Sequence, residues 1–104
     1  MKTIRLIGLE NNEKNRRSSF IFEQSEIFQK FFNEILKKIN IGEIIYDEQL
    51  PLKSRVNEID HFKNEDYDLD IIYTPDTIVL IARANQQNLE KLKSLILAGS
   101  KIEE

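Results

Sequence analysis

His61 is the single histidine of the chain, and Asp60 precedes it. A histidine beside an acid is the raw material of general acid–base chemistry. With Ser18 or Ser19 as nucleophile it would make a hydrolytic set, but the spacing gives no support and there is no Gly-x-Ser-x-Gly turn. Asp66-x-Asp68-x-Asp70 opens like a calcium loop. The pattern then fails, with Ile71 where the sharp turn needs glycine and Thr77 where a bidentate glutamate belongs. The simpler reading is a solvated strand face, with adventitious divalent-cation binding beside Glu65 or His61 as the weaker one. Phosphate-cradling loops need clustered glycines, and Gly8, Gly42 and Gly99 stand far apart. Zero cysteines remove thiolate chemistry, disulfides and cysteine–zinc sites together. No catalytic, cofactor-binding or metal-binding residue is assigned, and a non-enzymatic role is expected.

Arg16-Arg17-Ser18-Ser19 sets two bases ahead of two hydroxyls. Lys14, Arg16 and Arg17, together with Lys53 and Arg55, are the candidate contacts for an anion or a nucleic acid. No aromatic residue interleaves with Lys14, Arg16 and Arg17, whereas single-strand readers need stacking platforms along a basic groove. From residue 25 onward, the order helix, strands, helix is that of double-stranded-RNA-binding domains. Those domains start their last helix with basic residues. Here that start is Asn85-Gln86-Gln87-Asn88-Leu89-Glu90, so the likeness stops at element order. The net charge of −3 adds no general pull toward polyanions. Residues 1–55 carry ten Lys/Arg and eight Asp/Glu, and residues 56–104 carry five and ten, a modest asymmetry.

These side chains need elements to position them. Residues 67–84 are the organising stretch: two runs rich in β-branched and aromatic residues flank Pro75-Asp76, a hairpin signal. A two-residue loop closed by Thr74 and Thr77 sets Tyr73 opposite Ile78, Ile71 opposite Leu80, Leu69 opposite Ala82 and Tyr67 opposite Ala84, all on one apolar face. The other face then carries Ile72 with Val79, Asp70 with Ile81, and Asp68 with Arg83 as a charge pair. Pro-Asp is usually followed by glycine, and Thr77 stands there, so a longer loop is the alternative.

Residues 3–9 alternate as a strand, too short an apolar stretch for a signal peptide. Residues 10–17 read as a mobile polar loop, and residues 18–23 as a second strand with Phe20 and Phe22 on one side. Residues 25–40 spell an amphipathic helix capped by Ser25, with apolar Ile27, Phe28, Phe31, Phe32, Ile35, Leu36 and Ile39, and ended by Gly42. Glu26 with Lys30 and Glu34 with Lys38 are spaced as supporting pairs. Residues 43–47 read as a short strand and 50–52 as extended chain. Residues 54–62 admit two readings, a helical one from the spacing of Val56, Ile59 and Phe62 and a strand beside the hairpin, and the strand is preferred because it extends the sheet. A last helix starts at Asn85, carries Leu89, Leu92, Leu95 and Ile96, and stops at Gly99 before a frayed tail.

The 104 residues form one domain with ordinary composition, 40% apolar and 32% charged. No apolar run approaches the ~18–20 residues that span a bilayer. A cytoplasmic location is the expectation. The expected fold is α+β: a mostly antiparallel sheet of four to six strands with two helices packed on one face. The expected core is Leu6, Phe20 or Phe22, Phe28, Phe31, Phe32, Ile35, Leu36, Ile71, Tyr73, Leu80, Leu92 and Leu95. Two helices on one face leave Ile72, Val79 and Ile81 uncovered on the other. The reading is therefore a protein-interaction domain (an adaptor, inhibitor or assembly factor) that meets another protein or pairs with itself as a homodimer. Nucleic-acid binding through residues 14–17 and 53–55 is the alternative.

Overall fold

The computed structural model describes residues 3–44 and 55–102. The elements are β1 (Ile4–Asn12), β2 (Arg17–Glu23), α1 (Phe28–Lys38), β3 (Ile59–Lys63), β4 (Asp68–Tyr73), β5 (Thr77–Arg83), α2 (Gln86–Gly99) and β6 (Ser100–Ile102). They make the expected α+β architecture, a six-stranded sheet in the order β3-β4-β5-β2-β1-β6 with the two helices on one face. Every pairing is antiparallel except β1 with β6.

The β4–β5 register is the one the alternation demands. Tyr73 lies opposite Ile78, Ile71 opposite Leu80, Leu69 opposite Ala82 and Asp68 opposite Arg83. A one-residue slip would turn every apolar side chain to the wrong face. The loop is the short one. Thr74 N–H donates to Thr77 O at 3.0 Å, and Thr77 N–H donates to Thr74 Oγ1 at 2.9 Å. The threonine hydroxyls, 2.6 Å apart, close the turn, and none of its residues takes a positive φ, so glycine is not needed.

The helices bury the face that carries Phe20, Phe22, Leu69, Ile71, Tyr73, Ile78, Leu80 and Ala82. Phe28 and Phe32 stack with ring centroids 5.4 Å apart, and Phe22 meets Phe28 at the same distance. Both Phe20 and Phe22 are core, while Phe31 and Leu95 pack at its margin. Each fully buried large apolar side chain contributes about 1.5–3 kcal/mol.

Several boundaries differ from the sequence reading. The polar stretch after residue 9 is not a long loop. β1 runs on to Asn12, β2 starts at Arg17, and only Glu13–Arg16 turn, with Arg16 at φ 51°. Polar side chains suit this outlying part of the hairpin, so polarity did not end the strands. Ser25 does not cap α1 directly: its Oγ accepts from Ile27 N–H at 3.3 Å in a preceding turn, and the helix starts at Phe28. Asn40, not Gly42, ends it. Asn40 adopts φ 56°, its N–H bonds Lys37 O, and Ile41 N–H reaches back to Leu36 O, which satisfies the last carbonyls. Glu34 pairs with Lys37 at 3.5 Å.

Glu43 and Ile44 are not in a strand. The Asn33 side chain instead grips both backbone groups of Ile44, accepting from its N–H at 2.7 Å and donating to its O at 3.2 Å. The rest of that expected strand and the extended 50–52 stretch lie outside the described residues. β3 does extend the sheet beside the hairpin, but it begins at Ile59, after a turn in which Asn57 takes φ 74°.

Asn85 caps α2 as expected, accepting from Asn88 N–H at 2.8 Å. Beyond Gly99 the chain is not a frayed tail. Ser100–Ile102 form β6, parallel to β1. Since β5 runs parallel to β1 through β2, α2 is a crossover that carries the chain over β2 and β1 to the far edge. Gly99 serves by being small: a Cβ there would sit 2.8 Å from Phe31 Cε1.

Candidate interaction surface

The helix-free face of the sheet is built from the alternate residues of five strands. At one level Ile59 lies opposite Ile72, Ile72 opposite Val79, and Val79 opposite Ile21. Ile21 lies opposite Gly8, where the missing side chain leaves room for it: a Cβ would stand 3.1 Å from Ile21 Cδ1. Ile7 is the extra residue of a β-bulge just before Gly8. The result is an apolar row across the sheet. Ile59 is 62% exposed, Ile7 42% and Ile21 36%, while Ile72 and Val79 are partly covered by their neighbours. Among the described residues no helix lies over this row. Of the expected trio, Ile72 and Val79 sit in it, and Ile81 sits one level on, between Asp70 and Ser19. Ile21, Ile59 and Ile7 join them. The order of the strands is what aligns Ile21 and Ile7 with the others.

The next levels are charged. His61 lies opposite Asp70, and its Nε2 is 2.6 Å from Asp68 Oδ1. Arg83 donates to Asp70 Oδ2 at 3.2 Å, so the ion pair is the diagonal one although Asp68 is its register partner. Arg17 lies opposite Arg83. Lys14 and Arg16 lie in the adjoining turn, so Lys14, Arg16 and Arg17 form one basic corner with Arg83. Arg55 does not join it. Its guanidinium donates to Asp60 Oδ1 at 2.9 Å, pairs with Glu58 at 3.1 Å and lies over the Tyr73 ring, near the opposite edge on the helix-covered face. Lys53 lies outside the described residues.

The candidate hydrolytic residues are not brought together. Asp60 points to the helix-covered face, where it also accepts from the Tyr73 hydroxyl at 2.7 Å, and His61 points the other way. Ser18 is buried and donates to Asn11 Oδ1 at 2.9 Å. Ser19 shares the face of His61 but stands three strands away, about 14 Å. Asp66 belongs to the turn before β4 and does not line up with Asp68 and Asp70, because Asn64 Oδ1 holds its N–H at 2.8 Å. No group of three or more His, Asp or Glu among the described residues is placed to hold a metal ion.

The Tyr67 phenol is displaced from its ordinary range. Burial, assisted by the nearby Asp66 carboxylate, raises the Tyr67 phenol above 10.0. Its hydroxyl donates to Asn88 O at 3.2 Å and ties β4 to α2. That is a structural role beneath the helices, away from the open face. No family model, no curated protein and no solved structure matches this chain.

Proposed function

We propose that this chain is a protein-interaction domain that works through the helix-free face of its sheet. The observation that carries the reading is the in-register row Ile59–Ile72–Val79–Ile21, extended by Ile7. Single exposed apolar residues are ordinary, whereas a contiguous row rimmed by charge is the usual mark of an interface. His61, Asp68, Asp70, Arg83 and Arg17 supply the rim, which favours a partner with matching charge. The basic corner at residues 14–17 gives nucleic-acid binding a narrower footing, because Asp70 already engages Arg83 and Arg55 faces elsewhere.

The test is quantitative affinity capture from the native host with wild-type protein and the surface variants Ile72→Lys and Ile21→Lys. Circular dichroism first confirms that both variants fold. Partners, including copies of the chain itself, should be recovered by the wild type and lost with both variants. Equal recovery by folded variants overturns the reading.

A further inference from the structure

We infer that the occupant of the open face is a second copy of this chain, related by a two-fold axis that lies between the two sheets and runs along β5. The inference rests on the interaction-surface reading and names its partner. Rotation about that axis keeps each level of the sheet at its own level and exchanges the strands on either side of β5. Val79 then packs on the partner's Val79, Ile72 on the partner's Ile21, and Ile59 on the partner's Ile7. One level toward the charged end, Asp70 meets the partner's Ser19. At the last level Asp68 meets the partner's Arg17, the symmetric contact repeats it, and Arg83, on the axis strand, meets the partner's Arg83. Such self-complementarity is what an isologous interface requires.

Two Asp68–Arg17 contacts against one Arg83–Arg83 contact favour this axis. Asp68 and Asp70 are on β4, one strand to one side of β5; Glu23 on β2, opposite Thr77, and Glu10 on β1, opposite Ser19, point to the same face on the other side. Arg17 is on β2, one strand to the other side. Within one copy Arg17 faces Arg83, a like charge whose guanidinium is turned to Asp70. Exchange across β5 sets the partner's Asp68 over Arg17, whereas within one copy Asp68 stands two strands away at the same level. An axis across the strands does worse. Centred on the apolar row, it finds no counter-charge for Arg17; centred one level along, it lays Asp70 on the partner's Asp70 and Asp68 on the partner's Ile72.

Aligned strands also fall within the ordinary packing of two sheets face to face, about 10 Å apart with strand directions within about 30° of each other. Five strands at about 4.8 Å and three levels at about 6.8 Å give a footprint of roughly 24 by 20 Å per copy. The two copies together bury on the order of 1,000 Å², the lower bound for a specific interface, so association is of moderate strength.

Sedimentation equilibrium from micromolar to sub-millimolar protein tests the pairing in the full chain. Four proteins are compared: wild type, Asp68→Arg, Arg17→Asp and the double charge swap. The wild type should dimerise. Each single swap sets like charges against each other twice and should raise the dissociation constant about tenfold or more, and the double swap should recover most of the loss. Far-ultraviolet dichroism checks that every variant is folded. A wild type that stays monomeric throughout overturns the homodimer; if Ile72→Lys still abolishes capture of another protein, the surface reading stands without it. A dimer lost with Ile72→Lys but indifferent to both charge swaps overturns this axis and leaves the surface in place. A dimer that survives both Ile72→Lys and Ile21→Lys overturns the pairing and the surface together.

Discussion

Arg17 of β2 stands directly opposite Arg83 of β5, so two cationic side chains are neighbours on the open face of the sheet. Arg83 turns to Asp70, at 3.2 Å, and Arg17 does not share that carboxylate. Like charges opposite each other cost a sheet a few tenths of a kcal/mol to about 1 kcal/mol. The arrangement weakens the lone chain slightly and leaves Arg17 presented outward.

Arg17→Glu should therefore act in opposite directions on two readouts. At protein concentrations low enough to prevent association, urea unfolding should show a gain of about 0.2–1 kcal/mol, because the new carboxylate would face Arg83. Association of the folded chain should weaken in the same variant. A loss of stability at low concentration would contradict the like-charge account.

Gly99→Ala should destabilise by about 1–3 kcal/mol through overpacking. The added methyl would sit 2.8 Å from Phe31 Cε1, closer than such carbons approach. Because the conflict is with one ring, Phe31→Leu in the same chain should restore part of the loss. Thermal unfolding of the two single variants and the double variant reads the coupling. Strict additivity would show that Gly99 is required for another reason.

Asn64 joins the end of α1 to the β3–β4 turn. Its Nδ2 donates to Ile39 O and Asn40 O, and its Oδ1 accepts from Asp66 N–H and Tyr67 N–H, both at 2.8 Å. Asn64→Ala should cost about 1–3 kcal/mol. Asn64→Asp keeps the acceptor and loses the donors, so its stability should fall between those of the wild type and Asn64→Ala, with hydrogen exchange quickening first at the end of α1. Equal losses for both variants would mean that the amide's acceptor contributes nothing.

The raised phenol of Tyr67 makes a signed prediction for alkaline pH. A tyrosine that holds its proton more tightly in the folded chain contributes stability that is fully present below 10.0, the unfolded value. That contribution is lost as pH rises through the higher folded value. The readout is the difference from Tyr67→Phe, which cancels everything the two chains share. In urea unfolding from pH 8 to 11 (roughly the range over which tyrosines titrate), the wild type should lose stability more steeply than the variant. Parallel curves would place the Tyr67 proton outside the folding equilibrium.

The β4–β5 register, the apolar faces of both helices and the Asn85 cap follow from the sequence alone, because they are set by neighbours a few residues apart. Alternation placed Ile72, Val79 and Ile81 away from the core before any strand order was known. The ends of elements were harder to read. Asn40 and Arg16 could turn the chain without glycine, and polar residues 10–12 continue β1, since an exposed strand end places no apolar demand on its sequence.

The tertiary structure alone decided what depends on strands distant in the chain. It set β2 against β5, which lines Ile21 up with Val79 and Arg17 with Arg83, and it sent Ser100–Ile102 to the edge beside β1. It also gave Arg83 to Asp70 and Arg55 to Asp60. Alternation states which side of a strand a residue faces; which residue stands beside it on the next strand is fixed by packing the whole sheet under its helices, and no local pattern encodes that choice.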